Sequence, residues 1–89
     1  MIVTVELSLY PLHSEFEEPI INFIKALKSN PDIEVFTHSM SSYIKGEYDQ
    51  VFAAIKEAYS LACLDVDTVS LVLKMVNRAL PIEKGLLDF

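Results

Sequence analysis

The sequence predicts a domain of the α+β class, with one antiparallel sheet and two helices packed on one of its faces. Two segments repeat apolar residues at helical spacing, and four others have the character of strands. They follow one another in the order βαββαβ, and the two helical segments are similar in length. The chain has 89 residues, which is enough for one domain. This order and size predict the ferredoxin-like, or split βαβ, arrangement.

The first strand and first helix are predicted from residues 2 to 28. Residues 2–10 alternate apolar and polar side chains, as a half-buried strand does. Ser14 and Glu17 have the spacing of a capping box, which predicts a helix start there. Pro19 favours a start nearer Glu18 instead, with proline at the first helical position. The apolar residues that follow at helical spacing are Phe16, Ile20, Phe23, Ile24 and Leu27.

The second half of the chain predicts a hairpin, a helix and a last strand. A turn at 29–32 precedes strands at 33–39 and 42–46, which a short polar connection joins. The second helix follows Gly46, with Asp49 in its first turn, where a carboxylate favours the helix dipole. Its apolar stripe comprises Val51, Phe52, Ile55, Ala58, Tyr59 and Ala62. The helix is expected to end at 65–67 and the fourth strand to span Thr68 to Val76. The domain is therefore expected to cover 1–76, and the tail 77–89.

The composition of the chain indicates which kinds of partner and which compartment to expect. Thirteen acidic residues against seven basic ones give a net charge of −6, which opposes binding to nucleic-acid phosphates. The apolar runs fall well short of the roughly 20 residues that a membrane span needs, and Glu6 comes too early for a secretory signal. A single cysteine, Cys63, forms no intrachain disulfide, so a cytoplasmic protein is expected. Because 52% of residues are hydrophobic in so short a chain, burial against a second subunit is also expected.

Polar and aromatic side chains are expected to meet at one end of the sheet. In the split βαβ topology, the ends of the first and second strands, the start of the third and the start of the first helix, with His13 and Ser14, converge there. The candidate binding residues are Glu6, Ser8, Tyr10, His38, Ser39, Ser41, Ser42 and Tyr43. They suit a small, flat, polar ligand. Serines also gather at strand ends simply because they suit turns, and Glu6 could instead pair with Lys45 or Lys74.

Catalytic and metal motifs are missing from the sequence. It contains no glycine-rich phosphate loop, no nucleophile elbow and no metal-ligand spacing. Two histidines, His13 and His38, and a distant Cys63 make a weak metal site. We therefore expect neither an enzyme nor a bound metal or cofactor.

Two stretches of the sequence resemble the YkoF-like family of thiamine and hydroxymethylpyrimidine binding proteins. The first is Ser-Leu-Tyr-Pro at 8–11, and the second is Gly-x-x-Asp-x-Val-Phe at 46–52. The similarity covers roughly residues 3 to 63. The chain departs from the expected pattern at His38, since an acidic residue is more familiar beside a cationic ligand.

The resemblance implies a ferredoxin-like domain that binds the aminopyrimidine moiety of thiamine without transforming it. It implies a role in vitamin salvage or transport, and self-association of a single-domain member as a homodimer or homotetramer. Carried over by position, the ligand region includes Ser8, Tyr10, Ser39, Ser41 and Ser42. The alternative is a structural or regulatory oligomerisation module without a small-molecule ligand.

Overall fold

Six elements follow one another in the predicted order in the computed structural model, which describes residues 1–64 and 66–83. Asp65, in the predicted end of the second helix, and 84–89 of the predicted tail lie outside the described residues. The elements are β1 (Ile2–Pro11), α1 (Glu17–Lys28), β2 (Ile33–Thr37), β3 (Ser42–Glu47), α2 (Tyr48–Ala62) and β4 (Val69–Val76).

The four strands form one antiparallel sheet in the order β2-β3-β1-β4. Together with the two helices, this order confirms the ferredoxin-like α+β fold. The central strand β1 is longer than β3, whose pairing with it ends where Leu7 faces Ser42. Beyond that point, from Ser8 to Pro11, β1 pairs only with β4. The sheet is therefore open beside the last residues of β1.

The alternation along β1 assigns its side chains to two faces of the sheet. Val3, Val5 and Leu7 point towards the helices and are at most 1% exposed, whereas Thr4 and Glu6 point to the open face. The residues that complete the hydrophobic core are Leu9, Phe23, Leu27, Ile33, Ile44, Val51, Ala54, Ile55, Ala58, Ala62 and Val69. The alternation predicted for the first strand is confirmed.

The predicted capping box at the start of α1 is wrong. The helix begins at Glu17, its N-cap residue is Phe16, and no side chain caps it. Ser14 lies in the preceding turn, where the His13 ring accepts a hydrogen bond from the backbone N–H two residues on. Pro19 is the third helical residue, not the first, and is tolerated because the first four N–H groups of a helix have no acceptor within it.

The start of α2 is fixed by two neighbouring residues of β3. The Glu47 carboxylate accepts a hydrogen bond of 2.8 Å from the backbone N–H of Asp49. Gly46 allows close approach, because a Cβ there would lie 3.2 Å from the Ile33 side chain and 3.3 Å from that of Val51. The helix ends at Ala62, earlier than predicted.

The segment 77–83, which we call the strap, crosses the open face of the sheet. The Thr4 hydroxyl donates to the Arg78 carbonyl at 2.7 Å and accepts from the Leu80 N–H at 3.0 Å. Lys45 Nζ donates to the Leu80 carbonyl at 2.9 Å, and Ile82 is only 3% exposed.

Neither helix in the described part of the chain has the length and apolarity that a bilayer crossing requires.

Candidate functional site

A cavity of about 200 Å³ lies at the open end of the sheet, where β1 runs past β3. We call it the hairpin-end cavity. It is bounded by the end of β1, the inner side of α1 and the connection between β2 and β3. Its lining comprises Leu7, Ser8, Leu9, Tyr10, Ile20, Phe23, Ile24, Thr37, His38, Ser39, Met40, Ser41 and Ser42.

The apolar part of the lining comes from two elements. Leu7 and Leu9 contribute from β1, while Ile20, Phe23 and Ile24 contribute from α1. Phe23 is 2% exposed, so this wall is continuous with the hydrophobic core. The cavity therefore combines an apolar wall with polar groups from the hairpin, as small-molecule sites commonly do.

Two hydroxyl groups lie on the helix side of the sheet at the hairpin. Thr37 and Ser42 face each other in the β2–β3 register, and their hydroxyl oxygens are 3.4 Å apart. Ser42 is 5% exposed. Only one hydrogen can lie between two hydroxyl oxygens, so the other hydrogen of the pair is available to a further acceptor.

The connection between β2 and β3 is a tight turn that ends β2 two residues earlier than predicted. The backbone N–H of His38 donates to the Ser41 carbonyl at 2.8 Å. The His38 ring lies 4.9 Å from the ring of Phe36 and 4.3 Å from that of Tyr43, measured between centroids. Its Nε2 is 3.0 Å from the Ile82 carbonyl oxygen. His38 thus lies between the hairpin-end cavity and the strap.

Glu6 lies on the open face with two polar contacts. The Ser41 hydroxyl donates to its carboxylate at 3.1 Å, and Lys74 Nζ lies 3.5 Å from it. The hydrogen bond from Ser41 lowers the pKa of Glu6 most, burial raises it by less, and Lys74 lowers it further. Of the two lysines considered from the sequence, Lys74 pairs with Glu6, whereas Lys45 lies 3.8 Å from Glu34.

A second cavity of about 180 Å³, which we call the open-face cavity, lies beside Glu6. Tyr43 and Lys74 also line it, and Leu80 of the strap closes one side. The predicted site residues are therefore divided between the two cavities. Those that line the hairpin-end cavity are Ser8, Tyr10, His38, Ser39, Ser41 and Ser42, while Glu6 and Tyr43 line the open-face cavity. Ser41 connects the groups through its hydrogen bond to Glu6.

The predicted convergence at this end of the sheet includes two residues that do not line the hairpin-end cavity. His13 and Ser14 line separate depressions near the start of α1. Conversely, Thr37 lies in the predicted convergence but was not among the candidate binding residues, and the apolar wall from α1 was in neither. The α1 residues show only the helical spacing typical of a core face, so the sequence does not distinguish a cavity wall from core. Within 1–64 and 66–83, no three metal-ligating side chains come together.

The fold and the hairpin-end cavity define a ferredoxin-like domain with room for one small ring. The family model described as "Thiamine-binding protein" matches residues 5–80. The chain belongs to this thiamine-binding protein family, which confirms the resemblance found in the sequence. UPF0045 protein MJ1052 of Methanocaldococcus jannaschii is 32% identical over 81 residues, covering 85% of this chain and 77% of the relative.

Solved structures show the same fold. The crystal structure of MJ1052 matches with a TM-score of 0.78 and 31% identity, over 88% of this chain and 81% of that one. Protein SP2199 of Streptococcus pneumoniae matches with a TM-score of 0.83 and 21% identity, over 89% of each chain. TM0486 of Thermotoga maritima, named as a candidate thiamine biosynthesis or salvage protein, matches with a TM-score of 0.78 and 18% identity, over 88% and 85%. The last two likenesses concern the fold alone.

Proposed function

We propose that this protein binds the aminopyrimidine moiety of thiamine, as free hydroxymethylpyrimidine or within thiamine, and does not transform it. The role would be salvage or transport of the vitamin in the cytoplasm, with no cofactor. The family described as thiamine-binding supports the ligand class. The observation that carries the proposal is that the hairpin-end cavity has both hydrogen-bonding groups and the volume for a single ring.

The size of the hairpin-end cavity suits a single ring. A cavity of about 150 Å³ in another protein accommodates benzene, and the cavity here measures about 200 Å³. A substituted pyrimidine is larger than benzene, and the cavity here is larger in turn. The second ring of thiamine would have to lie outside the cavity mouth. We therefore place the pyrimidine inside and expect free hydroxymethylpyrimidine to bind at least as well as thiamine.

Ser41 supplies a hydrogen-bond acceptor. A serine hydroxyl has one hydrogen to donate and two lone pairs that accept. The hydrogen of Ser41 is donated to Glu6 at 3.1 Å, and Ser41 is one of the residues that line the cavity. We propose that its oxygen, which keeps its lone pairs, accepts from the ligand. The exocyclic amino group of an aminopyrimidine is a donor and would match it. Glu6 thus acts by orienting Ser41, rather than by contacting the ligand directly.

Thr37 and Ser42 supply the complementary donor. One of their two hydroxyl hydrogens remains free after they bond to each other. A ring nitrogen beside the amino group is an acceptor and would take that hydrogen. One acceptor and one donor at the cavity therefore match the amino and ring-nitrogen edge of an aminopyrimidine. Tyr10, His38 and Ser39 also line the cavity, and we propose that they contact the ligand at the cavity rim.

The contacts of His38 favour binding without chemistry. Its Nε2 lies 3.0 Å from the Ile82 carbonyl, so it is engaged with the strap. The other polar side chains of the cavity are hydroxyl groups, which need an adjacent base to act as nucleophiles. The carboxylate beside Ser41 is that of Glu6, and its lowered pKa makes it a weak base. We therefore propose a binding protein rather than an enzyme.

We extend the proposal to self-association as a homodimer or homotetramer. Apolar residues make up 52% of the chain, and large apolar side chains such as Tyr10, Phe36 and Val72 are more than a third exposed. Burial of such surface between subunits would be favourable. The alternative, an oligomerisation module with no small-molecule ligand, rests on the same exposed surface.

Isothermal titration calorimetry with hydroxymethylpyrimidine and with thiamine tests the proposed ligand. We expect saturable binding of both, with hydroxymethylpyrimidine no weaker than thiamine. Benzene-sized rings without an amino group, such as toluene, serve as a control and should bind more weakly. No heat for either vitamin compound at millimolar concentration, with protein shown to be folded by circular dichroism, would favour the module without a ligand.

A further inference from the structure

Three residues on the open face of the sheet lie in one row across neighbouring strands. Glu6 of β1 is opposite Tyr43 of β3 on one side and opposite Lys74 of β4 on the other. Side chains directly opposite each other on antiparallel strands have Cβ atoms about 4.5–5.5 Å apart. All three residues line the open-face cavity, which measures about 180 Å³. Glu6 therefore lies in this cavity between an aromatic ring and an ammonium group.

The rest of the cavity lining offers apolar surface. Val76 lies opposite Thr4 in the next row across the sheet, and Leu80 of the strap closes one side. The Thr4 hydroxyl is already engaged, since it both donates to and accepts from the backbone of the strap. Among the described residues that line the cavity, the charged ones are therefore Glu6 and Lys74.

The Glu6 carboxylate is ionised and can accept a further hydrogen bond. Its side chain is 38% exposed, so a ligand in the cavity can reach it. The hydrogen bond from Ser41 is the main cause of its lowered pKa, and the carboxylate is negatively charged at neutral pH. A carboxylate has about four lone-pair sites. Ser41 and Lys74 use one each, which leaves room for another donor.

Lys74 is held only weakly at this carboxylate. Its side chain is 78% exposed, and its Nζ lies 3.5 Å from Glu6. Such an exposed ion pair contributes little to stability, because ordering two long side chains offsets most of their attraction in water. A ligand ammonium that also buries an alkyl chain against Val76 and Leu80 adds a hydrophobic contribution. Lys74 can therefore give way to a ligand of this kind.

Charge selects a cation over an anion at this cavity. The net charge of −6 raises the concentration of small cations around the protein. An anion bound to Lys74 would lie beside the Glu6 carboxylate and be repelled by it. The Tyr43 ring also favours a cation, since the face of an aromatic ring attracts positive charge.

We propose that the open-face cavity is a second binding site, for a small aliphatic amine in its ammonium form. The ammonium donates to Glu6 in place of Lys74. The alkyl chain packs against Val76 and Leu80, beside the Tyr43 ring. A four-carbon amine is similar in size to benzene, which a cavity of about 150 Å³ accommodates. This site goes beyond the aminopyrimidine binding proposed above and does not depend on it.

NMR titration of the labelled full chain with butylammonium chloride, at neutral pH and constant ionic strength, tests the site. We expect saturable shifts for the amides of Glu6, Tyr43, Val76 and Leu80. Butanol, of equal length without charge, and butyrate, of opposite charge, should each bind about tenfold more weakly or less, since neither donates a charge-assisted hydrogen bond. No saturable shifts at tens of millimolar amine, or equal binding of butanol or butyrate, would overturn the proposal.

Two variants with matched controls test the roles of the charged pair. Glu6→Gln should weaken butylammonium binding by about tenfold or more, whereas Glu57→Gln, the same charge change at an exposed position of α2, should not. Lys74→Met removes the competing ammonium and should tighten binding about two- to fivefold. Lys56→Met, at another exposed position of α2, is its control.

The Lys74→Met result separates a cation site from an anion site. Weaker amine binding to this variant than to the Lys56→Met control would overturn the proposal, because the lysine would then be helping the ligand. Circular dichroism establishes that each variant is folded. If Glu6→Gln misfolds, the comparison of the three ligands on the wild type still decides whether a positive charge is required.

Discussion

The hydroxyl oxygens of Thr37 and Ser42 lie 3.4 Å apart at the lining of the hairpin-end cavity. The β2–β3 register places the two residues opposite each other on the helix side of the sheet. Ser41, the residue before Ser42, donates to Glu6 on the open side. Adjacent serines therefore face opposite sides of the sheet, and both residues line the hairpin-end cavity.

Ser42→Ala should weaken the binding of hydroxymethylpyrimidine by about 1–3 kcal/mol, because a buried polar group of the ligand loses its partner. Calorimetry measures the change. Ser60→Ala is the matched control, since Ser60 is exposed on α2 and donates to the Lys56 carbonyl. Equal affinity of wild type and Ser42→Ala would contradict the proposed role of this hydroxyl.

Tyr59→Phe should lower the free energy of unfolding by about 1 kcal/mol. The Tyr59 hydroxyl donates to the Val69 carbonyl at 2.7 Å and connects α2 to the start of β4. Urea denaturation of both proteins measures the loss. Tyr48→Phe changes a more exposed tyrosine of the same helix and should have a smaller effect.

Thr4→Val should loosen the strap, because the Thr4 hydroxyl both donates to Arg78 and accepts from Leu80. Valine preserves the branched shape and removes both bonds. Hydrogen exchange of residues 78–82 should become faster, and the free energy of unfolding should fall by about 1–2 kcal/mol. Unchanged exchange in the strap would show that Thr4 does not hold it.

Glu6 should contribute to the pH dependence of stability. Its pKa is lowered in the folded protein, chiefly by Ser41, so its stabilising contribution is present above the ordinary glutamate pKa of about 4.3 and is lost as the pH falls through the lower folded value. The stability difference between wild type and Glu6→Gln should therefore shrink on acidification below about pH 4.3.

The Ser41→Ala variant checks the cause of this shift. It should raise the pKa of Glu6 towards its ordinary value, as measured by NMR titration of the carboxyl carbon. A pKa that stays unchanged in this variant would assign the shift to Lys74 instead.

The order of the strands and helices along the chain could be predicted because the pattern that marks each element is local. The alternation in β1 and the apolar stripes of the helices depend on residues a few positions apart. The end of β2 could not be predicted, because it depends on the bond from the His38 N–H to the Ser41 carbonyl. Likewise, Ser14 and Glu17 have the spacing of a capping box, but the helix begins at Glu17, so Ser14 is not its N-cap.

The lining of the hairpin-end cavity could be predicted only in part. Topology brings Ser8, Tyr10 and the hairpin to one end of the sheet, and this needs only the strand order. Which side of the sheet each residue faces depends on register, which separates Glu6 and Tyr43 from Ser42. The strap has no periodic pattern, and its hydrogen bonds to the sheet and to His38 join residues more than 30 positions apart.

Binding of an aminopyrimidine in the hairpin-end cavity is the central claim, and NMR titration of labelled protein with hydroxymethylpyrimidine tests it most directly. The account predicts saturable shifts for the amides of Thr37, Ser41 and Ser42 and for the side-chain methyls of Ile20 and Ile24, which line this cavity. Saturable shifts confined to the open-face cavity, around Val76 and Leu80, or no shifts at millimolar ligand, would contradict it.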